Sequence, residues 1–349
     1  MSDSLKNPET LPTVALGRTG MKITRTGFGS WALGGGDWAV GWGDQDDAAS
    51  IAAIRHAVAR GVNWIDTAAI YGLGRAEAVV AQALRDIPKI ERPYVFSKCG
   101  MIADAKSPGE MPRRIGAPAS IRGEVEGSLR RLGVERIDLY QMHWPANDGT
   151  PLEEYWQTLL DLKKEGKVRA AGLSNHSVAQ LEAAERLGHV DTLQPPFSAI
   201  KRAAGNAEIA WCAAHGTGVI VYSPMQAGLL TGAFSAQRVR ALPKNDWRSR
   251  NVEFSEHLEA NLYVAAALAR VARRHNVSTA AAAVAWTLAW PGVTAAIVGA
   301  RNAAQVDGWI GAATCALTPE DMCEVAKAIT YSRAGSGAAL PDEERKQAA

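Results

Sequence analysis

The sequence predicts an α/β fold in which eight parallel strands close into a (β/α)8 barrel, with a β-hairpin ahead of the first strand. Three observations support this prediction. Short β-rich apolar segments alternate with longer helical segments from residue 26 onward, there are eight such strand candidates, and polar residues follow almost all of them. Alternation of this kind is typical of βαβ units, and eight units can close without an exposed sheet edge.

The hairpin is predicted from TVALGRTG and MKITRTG, which turn at Arg18–Gly20 and can cover the barrel floor. The strand candidates are TGFG (26–29), VNWI (62–65), YVFS (94–97), DLYQM (138–142), VRAAGL (168–173), DTLQ (191–194), GVIVY (218–222) and TAAIV (294–298). Helical segments such as DDAASIAAIRHAVARG separate them, with apolar residues at helical spacing and Gly61 as the stop signal. Together they predict the TIM-barrel architecture.

Between the seventh and eighth strands lies an insertion, a polar loop at about 231–254 followed by an amphipathic helix, which we place at the C-terminal face of the barrel. We predict one barrel domain over residues 13–331 and a flexible N-terminus over 1–12. Residues 332–349 include AGSGAALPDEERKQAA, which has little apolar surface to bury, so a mobile C-terminal tail is expected.

The composition is that of a soluble globular protein, with 47% hydrophobic and 21% charged residues. A formal charge of +2, spread evenly, argues against nucleic acid or a membrane surface as partner and favours a small molecule. The start MSDSLKNPETLP lacks an apolar signal region and no uninterrupted apolar run of about 18 residues occurs, so we expect a cytoplasmic protein. Nothing in the composition indicates an oligomeric state.

The cysteines do not indicate a metal site. Four of them, Cys99, Cys212, Cys315 and Cys323, are scattered without the spacing of a zinc site. We therefore expect reduced thiols and no bound metal, and we interpret Cys99 as a packing residue.

Polar side chains follow the strand candidates at the carboxyl ends, where barrels of this type carry their reacting groups. They are Asp66, Lys98, His143, Ser174, Asn175, Gln194, Tyr222 and Ser223. Singly, each has a structural explanation, such as a helix cap, a solvated lysine or a core histidine. Together they predict a buried Asp66–Lys98 ion pair at one mouth. Tyr71 can bend back over that mouth, and because positive charge favours phenolate, we expect a lowered pKa and a general-acid role.

The segments DTAAIYG, FSKCG, YQMHWP, GLSN and YSPM, in this order, resemble the motif set of the aldo-keto reductase superfamily over roughly residues 14–331. LGRTG, GLGRAE and GAR are more similar to its bacterial branches. The resemblance implies an NAD(P)(H)-dependent oxidoreductase that transfers a hydride between the cofactor and an aldehyde, a ketone or the corresponding alcohol. It also implies a catalytic tetrad in which Tyr71 donates the proton, Lys98 paired with Asp66 lowers its pKa, and His143 orients the carbonyl.

The resemblance further implies a cofactor site without a Rossmann domain, and neither GGG (34–36) nor GLGRAE (72–77) provides G-x-G-x-x-G. The implied contacts are Ser174, Asn175 and Gln194 for the nicotinamide amide, Tyr222 stacked on its ring, Ser223, Gly228, Leu229, Leu230 and Gly232 along the pyrophosphate, and Gly299, Arg301 and Gln305 at the adenosine. Arg301 can pair with a 2′-phosphate, so NADP(H) is expected, with NAD(H) as the alternative. Many relatives carry an asparagine where this chain has Trp309.

The substrate pocket is predicted from tryptophans at the same end of the barrel. Trp31 follows the first strand and Trp144 follows His143, and these two are our candidates for substrate contacts. Of the 11 tryptophans, Trp38, Trp42 and Trp247 also lie in loops of that end. The loops GMIADAKSPGEMPRRIGAPAS and LTGAFSAQRVRALPKNDWRSRN are expected to define specificity.

Three alternatives remain open from the sequence. A cofactor-binding regulatory subunit would share this fold without turnover. A barrel lyase would use Lys98 as a Schiff base. A metal-dependent hydrolase is the third, although none of the seven histidines forms H-x-H after the first strand.

Overall fold

The computed structural model describes residues 11–36, 38–104 and 106–341. Its strands are β1 Thr13–Ala15, β2 Lys22–Thr24, β3 Thr26–Gly29, β4 Trp64–Asp66, β5 Tyr94–Cys99, β6 Met101–Ile102, β7 Arg113–Arg114, β8 Ile137–Met142, β9 Val168–Ser174, β10 Thr192–Gln194, β11 Gly218–Val221 and β12 Ala295–Gly299. Its α-helices are α1 Asp47–Ala59, α2 Arg75–Leu84, α3 Pro118–Leu132, α4 Leu152–Lys164, α5 Val178–Glu185, α6 Glu208–His215, α7 Ala236–Arg240, α8 Leu258–Arg274, α9 Thr279–Leu288, α10 Ala303–Ile310 and α11 Pro319–Ser332.

The eight predicted strands form a closed parallel barrel in the order β3-β4-β5-β8-β9-β10-β11-β12, and β12 pairs with β3. The predicted (β/α)8 fold is therefore confirmed. Several strands run further than predicted, because their ladders continue into the polar residues at the carboxyl end. Asp66 pairs with Gly29 and Phe96, and Lys98 pairs with Gln141, so both lie inside strands rather than after them.

The hairpin β1–β2 is antiparallel and closes the floor of the barrel, as predicted. Its residues Leu16, Met21 and Ile23 are fully buried and join the apolar side chains of the barrel interior. Trp64 fills the centre of this layer and donates from its indole nitrogen to the carbonyl of Thr24 at 2.8 Å. The indole ring needs a glycine beside it, since a Cβ on Gly27 would lie 2.1 Å from the ring.

The helices pack around the barrel and bury the principal apolar core between themselves and the strands. The insertion after β11 divides into two parts. Its loop reaches the carboxyl-end mouth, whereas helix α8 packs beside α9 and α11. In the described ranges, no helix combines the length and apolar character needed to cross a membrane.

The C-terminal segment after α11 is clamped by Arg202, which is 3% exposed. The guanidinium donates to the carbonyls of Ala334, Gly337 and Ala338 at 3.1–3.2 Å, and Ser336 pairs with Lys201. These carbonyls belong to the tail predicted from residue 332, and composition does not reveal the distant arginine that contacts them. The mobility of the tail stays a prediction. The rest of the predicted tail, and residues 1–10 of the predicted flexible N-terminus, lie outside the described residues.

We predict that Arg202→Met lowers the free energy of unfolding by about 1–3 kcal/mol, because several buried carbonyls lose their donor. The C-terminal segment should also become more sensitive to limited proteolysis. Urea unfolding and mass spectrometry of the cleavage products measure the two effects. Lys201→Met, at the exposed neighbouring residue, is the control, and equal stability of the two variants would contradict the clamp.

Candidate active site

The site is built by the two-residue period of the barrel strands. Side chains two residues apart point to the same side of a strand. Trp64 and Phe96 lie in the apolar interior layer, so Asp66 and Lys98, two residues further on, point inward at the next level. Gln141 and Gln194 reach the same level from β8 and β10. A polar layer therefore lies directly above the apolar filling of the barrel.

Lys98 and Asp66 form the predicted ion pair, with 0% and 3% of their side chains exposed. The ammonium donates to Asp66 Oδ1 at 2.5 Å, to the carbonyl of Thr67 at 2.9 Å and to Tyr71 Oη at 3.3 Å. Burial lowers the pKa of Lys98 and raises the pKa of Asp66, and in each case the partner's charge opposes that shift. Gln194 adds a 2.9 Å hydrogen bond to Asp66 Oδ2.

The hydroxyl of Tyr71 accepts from Lys98, and this contact fixes the direction of its own proton. An ammonium has no lone pair, so the phenolic hydrogen must point away from it. Burial, followed by the charge of Asp66, raises the pKa of Tyr71 well above its ordinary value. The predicted lowering of this pKa by Lys98 is therefore wrong. Asp66 at 2.5 Å offsets the field of the ammonium, and the buried phenol stays protonated at neutral pH.

His143 faces Tyr71 edge-on, with 5.6 Å between ring centroids. Its main chain is held on both sides, since its N–H donates to the carbonyl of Cys99 at 3.0 Å and its own carbonyl accepts from Asn175 at 2.9 Å. Burial, followed by the charge of Lys98, lowers the pKa of His143 well below its ordinary value. The imidazole is therefore neutral at physiological pH and can donate one hydrogen bond.

The predicted nicotinamide residues form a connected polar network. Tyr222 donates from its hydroxyl to Asn175 Oδ1 at 2.9 Å, and Ser174 Oγ donates to the carbonyl of Gln194 at 2.8 Å. Asn175 has a positive φ of 64°, a conformation that asparagine tolerates better than most residues. Buried His176 donates from Nδ1 to the Ser174 carbonyl at 2.8 Å and accepts at Nε2 from the Tyr155 hydroxyl at 2.8 Å, which fixes the end of β9.

One large cavity, of about 1010 Å³, opens above this polar layer. At one end it is lined by Tyr71 and His143, and at the other by Arg301 and Trp309. Of the predicted cofactor contacts, it is lined by Asn175, Gln194, Tyr222, Ser223, Gly228, Gly299, Arg301 and Gln305. Ser174 and Leu230 are fully buried away from this surface, and Gly232 lies against Thr279.

The backbone after β11 is strained where it borders the cavity. Ser223, Gln226, Ala227 and Gly228 all have positive φ values, between 45° and 97°. Each non-glycine residue in this region costs roughly 1–2 kcal/mol, and such residues cluster at ligand-binding segments. A backbone that turns in this way can direct several N–H groups toward one anion.

Two loops meet over the far end of the cavity, around Arg301. Its guanidinium donates to Gln45 Oε1 at 2.6 Å and to the carbonyl of Asp44, while Gln45 donates back to the Arg301 carbonyl at 3.0 Å. Beside this contact, Trp42 pairs with Asp246 of the inserted loop. The cavity is thus covered by the loop after β3 and by the insertion.

The predicted substrate tryptophans both line the cavity. Trp31 stacks on Trp247 at 5.5 Å between centroids and meets Trp42 edge-on at 5.1 Å. Trp144 lies under the guanidinium of Arg114, 4.5 Å from its ring centroid. Trp38 lines the cavity as well, as its place in the loop indicated.

Sequence reasoning missed two groups of residues. Gln141 accepts from Gln194 at 2.9 Å, and the alternation with Leu139 in DLYQM would have placed it inside the barrel. Gln45 and Arg248, near Arg301, had no comparable signal, because their positions depend on loop conformation. Over the described residues, no group of three or more histidine, cysteine, aspartate or glutamate side chains is arranged to hold a metal ion.

Comparison with known proteins identifies one family. The model of the Aldo/keto reductase family matches residues 25–330. The chain is 37% identical over 206 residues to the NADH-specific methylglyoxal reductase of Escherichia coli, a match that covers 56% of this chain and 62% of that protein. It is 31% identical over 284 residues to the aldo-keto reductase YhdN of Bacillus subtilis, covering 80% and 83% of the two chains.

Solved structures give the same result. The glycerol dehydrogenase AKR11B4 from Gluconobacter oxydans has a TM-score of 0.82 and 33% identity, with 93% of this chain and 97% of that chain covered. The holo form of the aldo-keto reductase AKR11C1 from Bacillus halodurans, at 22% identity and a TM-score of 0.72, covers 96% and 99% and shares the fold.

We predict that Lys98→Met lowers the free energy of unfolding by about 3–5 kcal/mol, because Asp66 is left as a buried unpaired charge. Adding Asp66→Asn should restore part of this loss, since the charge is removed. Urea unfolding of the two single variants and the double variant measures the coupling. Lys167→Met breaks the exposed pair with Glu126 and should lower the free energy of unfolding far less than Lys98→Met does. Additive effects of Lys98→Met and Asp66→Asn on the free energy of unfolding would contradict the coupling of the two side chains.

Proposed function

The chain belongs to the aldo/keto reductase family, and from this premise we propose that it reduces an aldehyde or ketone to the alcohol, or catalyses the reverse, with Tyr71 as general acid and base. The reduction consumes a carbonyl compound, a hydride and a proton and yields an alcohol. A nicotinamide cofactor bound in the cavity would supply the hydride. The observation that carries the proposal is the placement of a protonated Tyr71, tied to a buried ion pair, at the closed end of the cavity.

The proton step follows from the hydrogen bonds of Tyr71. The ammonium of Lys98 donates to a lone pair of the phenolic oxygen of Tyr71. The phenolic proton therefore points to the other side, where it is free to bind a carbonyl oxygen. The raised pKa of Tyr71 keeps this proton in place until negative charge develops on that oxygen. Lys98 then stabilises the phenolate that the transfer leaves behind. In the oxidative direction the same pair accepts the alcohol proton.

His143 has a different role in this scheme. Its lowered pKa keeps the ring neutral, so it donates a hydrogen bond rather than a full proton. A neutral imidazole facing Tyr71 at 5.6 Å can hold the carbonyl oxygen between the two groups. It therefore orients the substrate so that the carbonyl carbon faces the cofactor.

The geometry is less suited to two of the three other functions considered from the sequence. A Schiff-base lyase needs a neutral amine that a substrate can reach, whereas all three N–H groups of Lys98 have acceptors and its side chain is 0% exposed. A binding subunit without turnover has no need for a buried ion pair under a tyrosine at a cavity end. Carbonyl reduction uses every member of this set.

For the cofactor we propose NADP(H), with NAD(H) as the alternative. The observed cavity, the strained backbone at 223–228 and Arg301 beside the start of α10 fit a dinucleotide whose phosphates lie along one wall. Asn302 caps α10, and Gln305 accepts from the Arg301 N–H at 2.8 Å. One relative carries the name NADH-specific, which makes the preference a direct question for experiment.

Replacing Tyr71 with phenylalanine removes the proton donor and keeps the aromatic ring. We expect turnover to fall by about two to four powers of ten, the scale of general acid catalysis, with little change in cofactor affinity. Steady-state kinetics with a panel of aldehydes and ketones measures the first effect, and tryptophan fluorescence quenching by NADPH measures the second.

Tyr140→Phe is the matched control, because Tyr140 is a fully buried tyrosine that does not line the cavity. Its turnover should stay close to that of the wild type. If Tyr71→Phe keeps turnover within about ten-fold, or loses cofactor affinity in parallel, another group is the acid.

Arg301→Gln should weaken NADPH binding by roughly ten- to a hundred-fold and NADH binding by much less, since a charged hydrogen bond to the 2′-phosphate is lost. Fluorescence titration of the wild type and the variant gives both dissociation constants. Arg273→Gln, on the exposed side of α8, controls for net charge. Equal dissociation constants for NADPH and NADH in the wild type would refute the preference.

A further inference from the structure

The cavity carries positive charge that the proposed hydride transfer does not use. Four arginines line it, namely Arg114, Arg238, Arg248 and Arg301. Asp66 is the sole carboxylate residue of its described lining, and Lys98 already neutralises it. The space above the tyrosine is therefore positive overall, which favours anionic ligands.

Three of these arginines already have oxygen acceptors in the protein. Arg248 is paired with Asp246 at 2.6 Å, Arg301 donates to Gln45, and Arg238 donates to the Ala233 carbonyl at 2.9 Å. Arg114 differs from them. Within the described part of the chain, no carboxylate or carbonyl oxygen lies within hydrogen-bond distance of its guanidinium, which is half-buried.

The backbone of Arg114 is held by hydrogen bonds, and its side chain packs on one aromatic ring. Strand β7 pairs with β6 through Arg114 and Met101, and the Arg114 carbonyl accepts from the N–H of Asn147 at 3.1 Å. The guanidinium carbon lies 4.5 Å from the centroid of the Trp144 ring, a cation–π contact that uses none of the N–H groups as hydrogen-bond donors. A planar donor edge of this kind matches a carboxylate or phosphate.

Arg114 lines the same cavity as His143, the residue that would orient the carbonyl. Its guanidinium lies over Trp144, which directly follows His143 in the chain. Trp31 and Met101 provide apolar surface in the same cavity. A ligand with a carbonyl at one end and an anionic group a few bonds away can contact both sites at once.

From these observations we propose that the substrate is a carbonyl compound that also carries an anionic group, a carboxylate or a phosphate monoester, and that Arg114 binds that group. The proposal rests on the proposed function, since it assigns the substrate class of the same site. Arg114 does not take part in proton or hydride transfer. It fixes the distance between the anion and the carbonyl oxygen at Tyr71.

The test compares matched substrates that differ in charge. In the carboxylate arm, 4-oxobutanoate is compared with 4-oxobutanamide, and in the phosphate arm, glyceraldehyde 3-phosphate is compared with glyceraldehyde. We expect kcat/KM to favour the anionic member by about ten- to a hundred-fold in at least one arm at low ionic strength. The arm with the larger ratio identifies the anionic group.

Three variants assign the preference to one side chain. Arg114→Met should bring the ratio close to one, and Arg114→Lys should retain part of it, because the charge remains but the planar edge is lost. Arg113→Met, at the exposed neighbouring residue of β7, should leave the ratio unchanged. A wild-type ratio of one or below in both arms, or an unchanged ratio in Arg114→Met, would overturn the proposal.

Inhibition of the wild type provides a second measurement that does not depend on the folding of a variant. Succinate should compete with a neutral aldehyde more strongly than succinamide does, or inorganic phosphate should inhibit at comparable concentration, and added salt should weaken either effect. Equal, weak inhibition by all three would count against an anion site. Absence of turnover for every carbonyl with either cofactor would instead refute the proposed function, while succinate binding could still be followed by tryptophan fluorescence.

Discussion

The burial of two opposite charges at the top of the barrel interior constrains the choice of the side chains around them. Removing Lys98 and Asp66 from water costs several kcal/mol per ion, and their attraction offsets this only when the remaining donors and acceptors are also satisfied. The structure meets that demand with the Thr67 carbonyl and Tyr71, both in the segment after β4, and with Gln194 of β10. One electrostatic requirement thus determines which side chains β4, β5 and β10 present at the mouth.

A different kind of interaction encloses the space above that layer. The loop after β3 and the inserted loop meet through polar contacts of Arg301 and through the edge-on and stacked rings of Trp31, Trp42 and Trp247. These contacts are local, and none of them depends on the ion pair below. Substitutions in the loops can therefore reshape the cavity while the polar layer keeps its geometry, which is how barrels of this type support different substrates.

The sequence was informative wherever the short repeat of a strand or a helix determines where a residue lies. All eight barrel strands were predicted, because alternation of strand and helix leaves few other closed arrangements, and Asp66, Lys98 and His143 were placed at the correct end for the same reason. What the sequence did not reveal depends on distant contacts. The clamp of Arg202 on residues 334–338 joins positions more than 130 apart, and the pKa of Tyr71 depends on its burial and then on the charge of Asp66. Neither the clamp nor this pKa can be read from a local sequence pattern.

The hairpin β1–β2 gives the barrel a closed floor. Leu16, Met21 and Ile23 are fully buried and fill the interior below the polar layer. A ligand of the cavity therefore enters and leaves at the carboxyl end of the strands. Two ligands bound there at once would share that approach, and the one nearer the floor would have to leave last.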